Sequence, residues 1–262
     1  MKYLLFIVLL VIFYGCSDDD TLSLIIDLDN PTAMNVFCQS TPTDTLSRYE
    51  YEYHKDKINL ETVCRGDDTI RVTSYKYNSV GLLLKETIES DLIKFEKDFE
   101  YNSSEQLVKI IYKTYQYDMN GKVLNDTYYE APLHYENNKL IKEWVYYGDW
   151  AGYNTYEYSN GLVSTKTHYS KNGATIQYII RYSYSSDKLV KEIKESVTDY
   201  IFYSKTYHYD SNSRLISIVD RENTIEEYSY SDNHLIEKRT FYYGIDPCFA
   251  QCCGNFIYKY EY

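Results

Sequence analysis

Cysteine is the residue type with the clearest chemical potential in this sequence, because thiolates bind metals and form disulfides. Cys248, Cys252 and Cys253 cluster near the C-terminus. Their spacing matches half of a zinc site, but no second Cys-x2-Cys pair and no His pair completes it. Residues 118–121 (Asp-Met-Asn-Gly) resemble the start of a calcium loop, yet the residues that follow do not supply the remaining ligands. We therefore predict neither a metal site nor a cofactor.

The histidines are scattered, and the usual motifs of hydrolytic active sites are missing. The sequence contains no Gly-x-Ser-x-Gly elbow, no His-Glu-x-x-His and no Gly-rich phosphate loop. Carboxylates are numerous, but nothing in their pattern singles out the pair that a glycoside hydrolase needs. We predict that the protein is not an enzyme, and a glycan hydrolase is the last of three alternatives. The histidines are His54, His134, His168, His208 and His234.

Disulfide bonds are the better use for the remaining cysteines. Apart from Cys16, the cysteines lie only in the first and last units of the repeat region, and residues 65–247 contain none. Exported proteins keep disulfides, and bridges at the ends of a repeat array would hold its terminal strands. We predict that Cys38 bridges Cys64 and that Cys248 bridges Cys252 or Cys253, which leaves one thiol over.

Residues 1–16 have the layout of a bacterial export signal. Lys2 is followed by an apolar run over 3–14, which is too short to span a bilayer comfortably. Gly15 and Cys16 resemble the lipobox of bacterial lipoproteins, in which the cysteine is lipidated and becomes the first residue of the mature chain. A plain signal peptide is the alternative interpretation.

An acidic cluster follows Cys16 directly and resembles the surface-export signal of Bacteroidota lipoproteins. The alternative is a solvated spacer. Together the two segments predict an outer-membrane lipoprotein that faces the cell exterior, with the outer membrane as its partner through lipid on Cys16. The residues of the cluster are Ser17, Asp18, Asp19 and Asp20.

A degenerate unit recurs over most of the remaining chain: two aromatic residues flank one polar residue, and a short polar turn follows. Side chains alternate across a strand, so this period of two predicts a strand with one buried and one solvated face. The aromatic pairs are Tyr51/Tyr53, Tyr75/Tyr77, Phe99/Tyr101, Tyr115/Tyr117, Tyr156/Tyr158, Tyr182/Tyr184, Tyr207/Tyr209, Tyr228/Tyr230 and Tyr258/Tyr260, with Leu133/Tyr135 as a weaker member.

Each turn is rich in Asn, Asp, Ser and Gly, which suit tight hairpins. An apolar residue such as Leu189 or Leu235 then opens a return strand. A second apolar residue often follows it, as in Leu189-Val190 and Leu235-Ile236. Either both faces of the sheet are partly covered there, or a bulge shifts the register. The pattern leaves both possibilities open.

The unit resembles the tyrosine-aspartate (YD) repeat of the RHS family. The closest copies are residues 117–123 (Tyr-Asp-Met-Asn-Gly-Lys-Val) and 209–215 (Tyr-Asp-Ser-Asn-Ser-Arg-Leu). The resemblance spans about residues 49–262 and implies repeated antiparallel β-hairpins. We expect an all-β protein in which one extended, curled sheet forms an open shell, a partial barrel or a solenoid.

The domain organisation follows from these segments. We expect a signal peptide and lipidated cysteine over 1–16, an acidic tether and first strand over 17–45, and one repeat domain over 46–262. The net charge of −12 argues against nucleic acid as a partner, since such a field repels phosphate.

The segment 144–158 carries more apolar surface than a hairpin tip requires. Both tryptophans of the protein lie in it, and two glycines leave its backbone free to turn. We predict that these rings bind a glycan or protein ligand, whereas the paired tyrosines belong to the core. A structural component of the cell envelope without a small-molecule ligand is the alternative. The candidate ligand-binding residues are Trp144, Tyr146, Tyr147, Trp150 and Tyr153.

Overall fold

A computed structural model describes residues 31–38, 41–54, 57–65, 67–145, 151–232, 234–241 and 256–261. Among these residues, no helix is long and apolar enough to cross a membrane. The strands are β1 (Ala33–Cys38), β2 (Thr41–His54), β3 (Lys57–Arg65), β4 (Asp68–Tyr77), β5 (Leu83–Ser90), β6 (Ile93–Tyr101), β7 (Leu107–Tyr117), β8 (Val123–Glu136), β9 (Lys139–Val145), β10 (Gly152–Ser159), β11 (Leu162–Ser170), β12 (Ile176–Ser185), β13 (Lys188–Glu195), β14 (Ile201–Tyr209), β15 (Leu215–Asp220), β16 (Asn223–Ser231), β17 (His234–Thr240) and β18 (Phe256–Glu261).

The strands form a single closed barrel. Each strand pairs antiparallel with the next, as β2 does with β3 and β17 with β18. β18 then pairs with β1, so that Ala33 faces Glu261 and the 18-stranded sheet closes on itself. The expectation of an open curled sheet was therefore wrong, although the antiparallel hairpins are confirmed. Closure removes the two free edges, whose unpaired backbone groups would otherwise remain available to other chains.

Strand β1 completes the barrel. It pairs on one side with β18 and on the other with β2. It lies within the segment 17–45 that we assigned to a tether and first strand. We use 'proximal end' for the end of the barrel at which β1 and the other odd-numbered strands begin. We use 'distal end' for the end at which the odd-numbered strands finish.

The inner face of the wall carries most of the aromatic pairs, as the period-two pattern predicted. The first aromatic residue of several pairs is buried, for example Tyr51, Tyr182, Tyr207 and Tyr228. These rings pack sideways against apolar residues of neighbouring strands. One cluster comprises Met34, Val36, Tyr49, Tyr51, Ile58, Val63 and Tyr258. The other comprises Ile180, Tyr182, Leu189, Tyr207, Leu215, Ile218, Tyr228 and Leu235.

A β-bulge follows the turn of each aromatic unit that leads into a described hairpin, and it settles the question of the double apolar residues. Ser183 pairs with Lys191 and Tyr184 with Leu189, so Val190 is the additional residue. The same one-residue shift recurs in the hairpins of β2–β3, β4–β5, β6–β7, β7–β8, β8–β9, β10–β11, β14–β15 and β16–β17. A bulge lets the first apolar residue face inward while the second joins the opposite face.

The second tyrosine of a unit joins its hairpin to the preceding one. The hydroxyl of Tyr209 donates a hydrogen bond of 2.8 Å to the carbonyl oxygen of Leu189, the residue that opens the return strand of the previous unit. The ammonium of Lys188 lies 5.3 Å from the centre of the same ring. Equivalent hydroxyl–carbonyl bonds, at 2.8–3.0 Å, join Tyr77 to Ile58, Tyr101 to Leu83, Tyr158 to Leu140 and Tyr230 to Leu215.

One unit is out of phase with the others. The turn after Tyr117 joins β7 to β8 and therefore lies at the distal end, whereas the other aromatic units point to the proximal end. β7 is regular between Ile110 and Gln116, and Ile110 faces inward opposite Phe99. Alternation from Ile110 places Tyr115 and Tyr117 on the outer face. This unit thus turns its aromatic pair away from the core.

Candidate functional site

The outer wall of the barrel is mostly polar. The polar residue within each aromatic unit is exposed, and charged residues pair across the strands. Lys85 lies 3.0 Å from Glu96, and Lys113 lies 2.7 Å from Asp98. The exposed unit residues on this wall are Glu52, Lys76, Glu100, His134, Glu157, Ser183, His208, Ser229 and Lys259, whereas Gln116 of the out-of-phase unit is exposed on the opposite face. Aromatic residues on this wall are therefore not explained by the pattern that builds the core.

A row of three aromatic residues crosses β9, β10 and β11 on the outer wall. Trp144 is directly opposite Tyr153, and Tyr153 is directly opposite Tyr169. The rings of Tyr153 and Tyr169 are stacked with centres 4.9 Å apart, and the Trp144 ring lies 5.2 Å from Tyr153 at a tilt of 54°. We call Trp144, Tyr153 and Tyr169 the aromatic row. All three side chains are half-buried.

Lys142 places a positive charge over this row. Its ammonium is 3.8 Å from the centre of the Tyr153 ring and 5.2 Å from that of Trp144. Such cation–π contacts hold a long side chain against the rings while its polar end still reaches water. The backbone at Gly173 packs against Tyr153, since a Cβ there would lie 3.1 Å from the tyrosine hydroxyl. The β11–β12 turn therefore bounds the row on one side.

The aromatic row can bind by packing and hydrogen bonding, but its residue types do not support covalent chemistry. Aromatic rings with exposed edges contact the apolar faces of sugars or the side chains of a partner protein. Lys142 and the phenol groups add hydrogen-bond donors. Within the described residues, no group of His, Cys, Asp and Glu is arranged to hold a metal ion.

The structure brings two of the predicted ligand-binding residues together. Trp144 and Tyr153 are in contact, although each lies on a strand rather than on the long hairpin tip that we expected. Tyr169 was missed, because only the strand register reveals that it stands beside Tyr153. The remaining predicted residues, Tyr146, Tyr147 and Trp150, lie outside the described residues, as do Cys16, Ser17, Asp18, Asp19 and Asp20.

Buried ionisable groups on the inner wall are a feature that the sequence pattern did not reveal. Glu192 is fully buried and accepts hydrogen bonds from the hydroxyls of Tyr207, at 2.9 Å, and Tyr203. Burial, followed by the charge of Glu192, raises the pKa of both tyrosines above the usual range. They therefore remain protonated donors, and the carboxylate has the partners that a buried charge requires.

A second buried network crosses β9, β10 and β11. Asn154 donates to Glu143 at 2.9 Å, and its amide oxygen lies 2.8 Å from Nδ1 of His168. The imidazole stacks on the ring of Tyr178 with centres 4.8 Å apart. His168 thus has the partners of a structural core histidine.

The remaining buried carboxylates of the wall are in ion pairs. Glu61 lies 3.1 Å from Arg71, and Glu86 lies 2.8 Å from Lys97. Burial raises the pKa of Glu61, and the neighbouring Arg71 opposes this shift. These pairs fit a role in holding the wall together better than the role of a hydrolytic acid and base.

The structure does not support the predicted bridge between Cys38 and Cys64. Cys64 is a free thiol, and its sulfur lies 4.0 Å from the hydroxyl of Thr69. Strand register explains the outcome: Cys64 is opposite Arg48 and Arg48 is opposite Asn35, so Cys64 is aligned with a residue three positions from Cys38. The side chain of Cys38 is outside the described part, as are Cys248, Cys252 and Cys253.

Comparisons with known proteins give similarity to solved structures alone. No family model and no curated protein matches this sequence. A porin-like protein from Bacteroides uniformis ATCC 8492 has 10% identity over 88% of this chain and 98% of its own, with a TM-score of 0.41. A TcdB2–TccC3–Cdc42 structure has 13% identity over 75% of this chain, with a TM-score of 0.31. A Photorhabdus luminescens Tc holotoxin pore has 12% identity over 79% of this chain, with a TM-score of 0.25. The chain spans only 12% and 14% of the matched chains in the last two structures.

Proposed function

We propose that this protein is a lipoprotein of the outer membrane whose barrel binds a glycan or a protein on the cell exterior. The lipid would be attached to Cys16, in the export signal that the sequence predicts. The acidic cluster at Asp18, Asp19 and Asp20 supports transport to the outer surface. A barrel that faces lipid tails carries an outward apolar band. The exposed Glu, Lys and Ser residues of the outer wall favour a barrel held beside the bilayer by the lipid.

The aromatic row is the single observation that carries the proposed binding activity. Three aromatic side chains occupy adjacent outward positions on a wall that is mostly polar. The buried inner clusters do not need them, because the buried residues of those clusters lie on other strands of the barrel. The inner face of β10 and β11 is occupied instead by Asn154 and His168. Half-buried rings beside a lysine resemble the aromatic and cationic anchors at which binding energy concentrates.

Binding to an array of oligosaccharides and to extracted host surface proteins tests this proposal. We expect Trp144→Ala and Tyr169→Ala in the full chain to weaken binding at least about tenfold, as loss of an anchor residue does. Tyr128→Ala is the matched control, because Tyr128 is an exposed tyrosine on β8, away from the row. Equal binding by all three variants would overturn the proposed site. Circular dichroism of each variant checks that it is folded.

A structural role in the cell envelope is the second candidate, and one observation favours it. The rings of the aromatic row cover one another, and Lys142 covers Tyr153, so part of the ring surface is already in use. For this role we expect an emission maximum typical of buried indole that no added glycan or protein changes. A shift or quenching of the emission on ligand addition would instead support binding.

The lipid anchor has its own test. Cys16→Ser should move the protein from the membrane fraction to the soluble fraction, because lipid on this residue is the proposed attachment. A variant that still sediments with membranes would contradict lipid anchoring. Its outcome is independent of the aromatic row, so either half of the proposal can fail alone.

A further inference from the structure

Exposed apolar side chains are concentrated on two hairpin tips at the distal end of the barrel. In the β7–β8 tip, Met119 is 87% exposed and Leu124 is 66% exposed, and Val123 beside them is also exposed. In the β13–β14 tip, the exposed side chains are Val197, Tyr200, Ile201 and Phe202. Such residues cost solubility, and clusters of them on a protein surface mark sites of contact.

The described turns of the proximal end have a different composition. They are rich in Asn, Ser, Asp and Gly, and Val80 is the exposed large apolar residue within them. Leu84, Ile216 and Ile236, just after three of these turns, are less exposed, at 39–41%. Hairpin formation alone therefore does not require apolar residues at a tip in this protein. The distal tips carry apolar residues in addition to the residues that form the turn, such as Asp118 and Gly121.

We propose that the β7–β8 and β13–β14 tips contact a lipid surface. The tips are six strands apart on an 18-stranded barrel, a third of the circumference and about 29 Å along the wall at about 4.8 Å per strand. A planar bilayer meets both tips at once without any shape of its own, whereas one protein partner would have to bridge the mouth of the barrel. The separation of the two tips therefore favours a membrane over a single protein partner.

The types of side chain in the two tips fit shallow insertion. Met119 is the most exposed of them and lies in the turn, while Tyr117 and Tyr128 lie further down β7 and β8. In the second tip, Tyr200 packs edge-on against Phe202 with ring centres 5.3 Å apart. In the β7–β8 tip, an aliphatic group at the point with tyrosines behind it matches the layering of a bilayer interface, where tyrosine keeps its hydroxyl in water. In the β13–β14 tip, Val197 and Tyr200 both lie in the turn, ahead of Ile201 and Phe202.

Charge indicates which lipid the tips would take. The chain has a net charge of −12, so an anionic surface repels it. Zwitterionic phosphatidylcholine or phosphatidylethanolamine therefore fits better than an anionic phospholipid.

A lipid anchor on Cys16 permits this orientation but is not required for it. Residues 17–30 can reach at most about 50 Å at 3.3–3.6 Å per residue. The 11 residues of β7 span about 37 Å at about 3.4 Å per residue, and because barrel strands are tilted, the wall is no higher than this. A chain that enters at the proximal end can thus still bring its distal end to the same membrane. The inference rests on the tips and not on the proposed binding activity of the aromatic row.

Tryptophan placed at each end tests the inference. Full-length protein isolated from membranes carries Met119→Trp, Val197→Trp or, as the matched control, Val80→Trp, which replaces a side chain 64% exposed at the proximal end. Each is added to preformed phosphatidylcholine vesicles that contain brominated lipid, and the emission is corrected for the two native tryptophans. We expect blue-shifted, quenched emission for the two distal variants and unchanged emission for the control.

Two further measurements sharpen the result. Adding Leu124→Ser to Met119→Trp should reduce the quenching at least twofold, while Ile216→Ser, an exposed bulge residue elsewhere, should leave it unchanged. Replacing half of the lipid with phosphatidylglycerol should also reduce it. Quenching at the Val80 position alone, equal quenching at both ends, or no quenching at any position would overturn the inference. A shift with added outer-membrane proteins but not with vesicles would also overturn it, in favour of a protein partner.

Discussion

The turns that begin at Asp118 and Asp210 have the same local geometry in opposite settings. Oδ1 of Asp118 accepts hydrogen bonds from the backbone N–H groups two and four residues later, at 2.8 and 2.9 Å. Oδ1 of Asp210 accepts the same two bonds, both at 2.9 Å. The fourth residue of each turn has a positive φ, 76° at Gly121 and 73° at Ser213. The two segments are also the closest copies of the repeat in the sequence.

Their surroundings differ completely. After the Asp210 turn, Leu215 is 6% exposed and belongs to an inner cluster. After the Asp118 turn, the equivalent Val123 is 48% exposed on a hairpin that turns its tyrosines outward. Local side-chain chemistry therefore specifies the turn, while the phase of the strand that leads into it decides which face of the barrel the unit serves.

Truncating the equivalent apolar residues should give the largest difference between the two units. Leu215→Ala removes buried side chain from a packed cluster and should lower the free energy of unfolding by about 2–4 kcal/mol. Val123→Ala removes an exposed side chain and should change it by less than about 0.5 kcal/mol. Urea unfolding of both variants measures the difference, and similar losses would show that the two units share one environment.

Exchanging the residues with positive φ should give smaller changes of opposite sign. Ser213→Gly relieves an L-residue of a left-handed conformation and should stabilise the fold by about 1 kcal/mol. Gly121→Ser imposes the same conformation and should destabilise it by a similar amount. A Cβ at Gly121 would meet no atom within 4 Å, so the effect there comes from the backbone alone. Changes of the same sign in both variants would show that the two turns are not equivalent.

The hydroxyl of the second tyrosine should contribute in one unit and not in the other. Tyr209→Phe removes the hydrogen bond to the carbonyl oxygen of Leu189 and should cost about 1 kcal/mol. Tyr117 faces outward, and the described residues provide no such acceptor for its hydroxyl. Tyr117→Phe should therefore leave the urea midpoint unchanged, and an equal loss in the two variants would contradict the outward placement.

Much of the fold could be predicted because it depends on local chemistry. Alternation placed Tyr207 and Tyr209 on the inner face, and the turn residues marked the hairpins. Closure of the barrel could not be predicted, because it depends on whether the last strand of a long series meets the first. The reversed phase of Tyr117 did leave a signal: it follows Tyr101 by 16 residues, a shorter interval than the others. That interval accommodates one strand and a turn instead of two strands.

The candidate site was only partly predictable. Trp144 and Tyr153 stood out by composition, since the protein has two tryptophans and both lie near Gly152. Tyr169 did not, because its place beside Tyr153 follows from strand register and not from distance along the chain. The burial of Glu192 was also missed, because a carboxylate flanked by lysines in the sequence suggests a solvated strand. Its burial is stabilised by hydrogen bonds from the hydroxyls of Tyr203 and Tyr207, which the sequence alone does not reveal.

The charge on the two turn aspartates should produce the smallest difference, and it should depend on pH. The backbone N–H of Lys122, followed by that of Asn120, holds the pKa of Asp118 below its usual value. The backbone N–H of Arg214 does the same for Asp210. A lowered pKa means that the charged form stabilises the fold. This contribution is complete above the unfolded-state pKa of about 3.9 and is lost as the pH falls through the lower folded-state value.

Asparagine separates the charge from the turn, because the protein already uses it at the same position. Asn78 accepts the equivalent backbone bonds through its amide oxygen, at 3.1 and 2.8 Å. Asp118→Asn and Asp210→Asn should therefore keep the turn and reduce the loss of stability between pH 5 and pH 2. We expect the larger change at Asp210, whose carboxylate also lies 2.7 Å from the guanidinium of Arg214. Urea midpoints across this pH range measure both variants, with Asn78→Asp as the converse control that should add acid sensitivity. A larger change at Asp118 than at Asp210 would mean that the arginine contributes nothing, and that the two turns are electrostatically as well as geometrically the same.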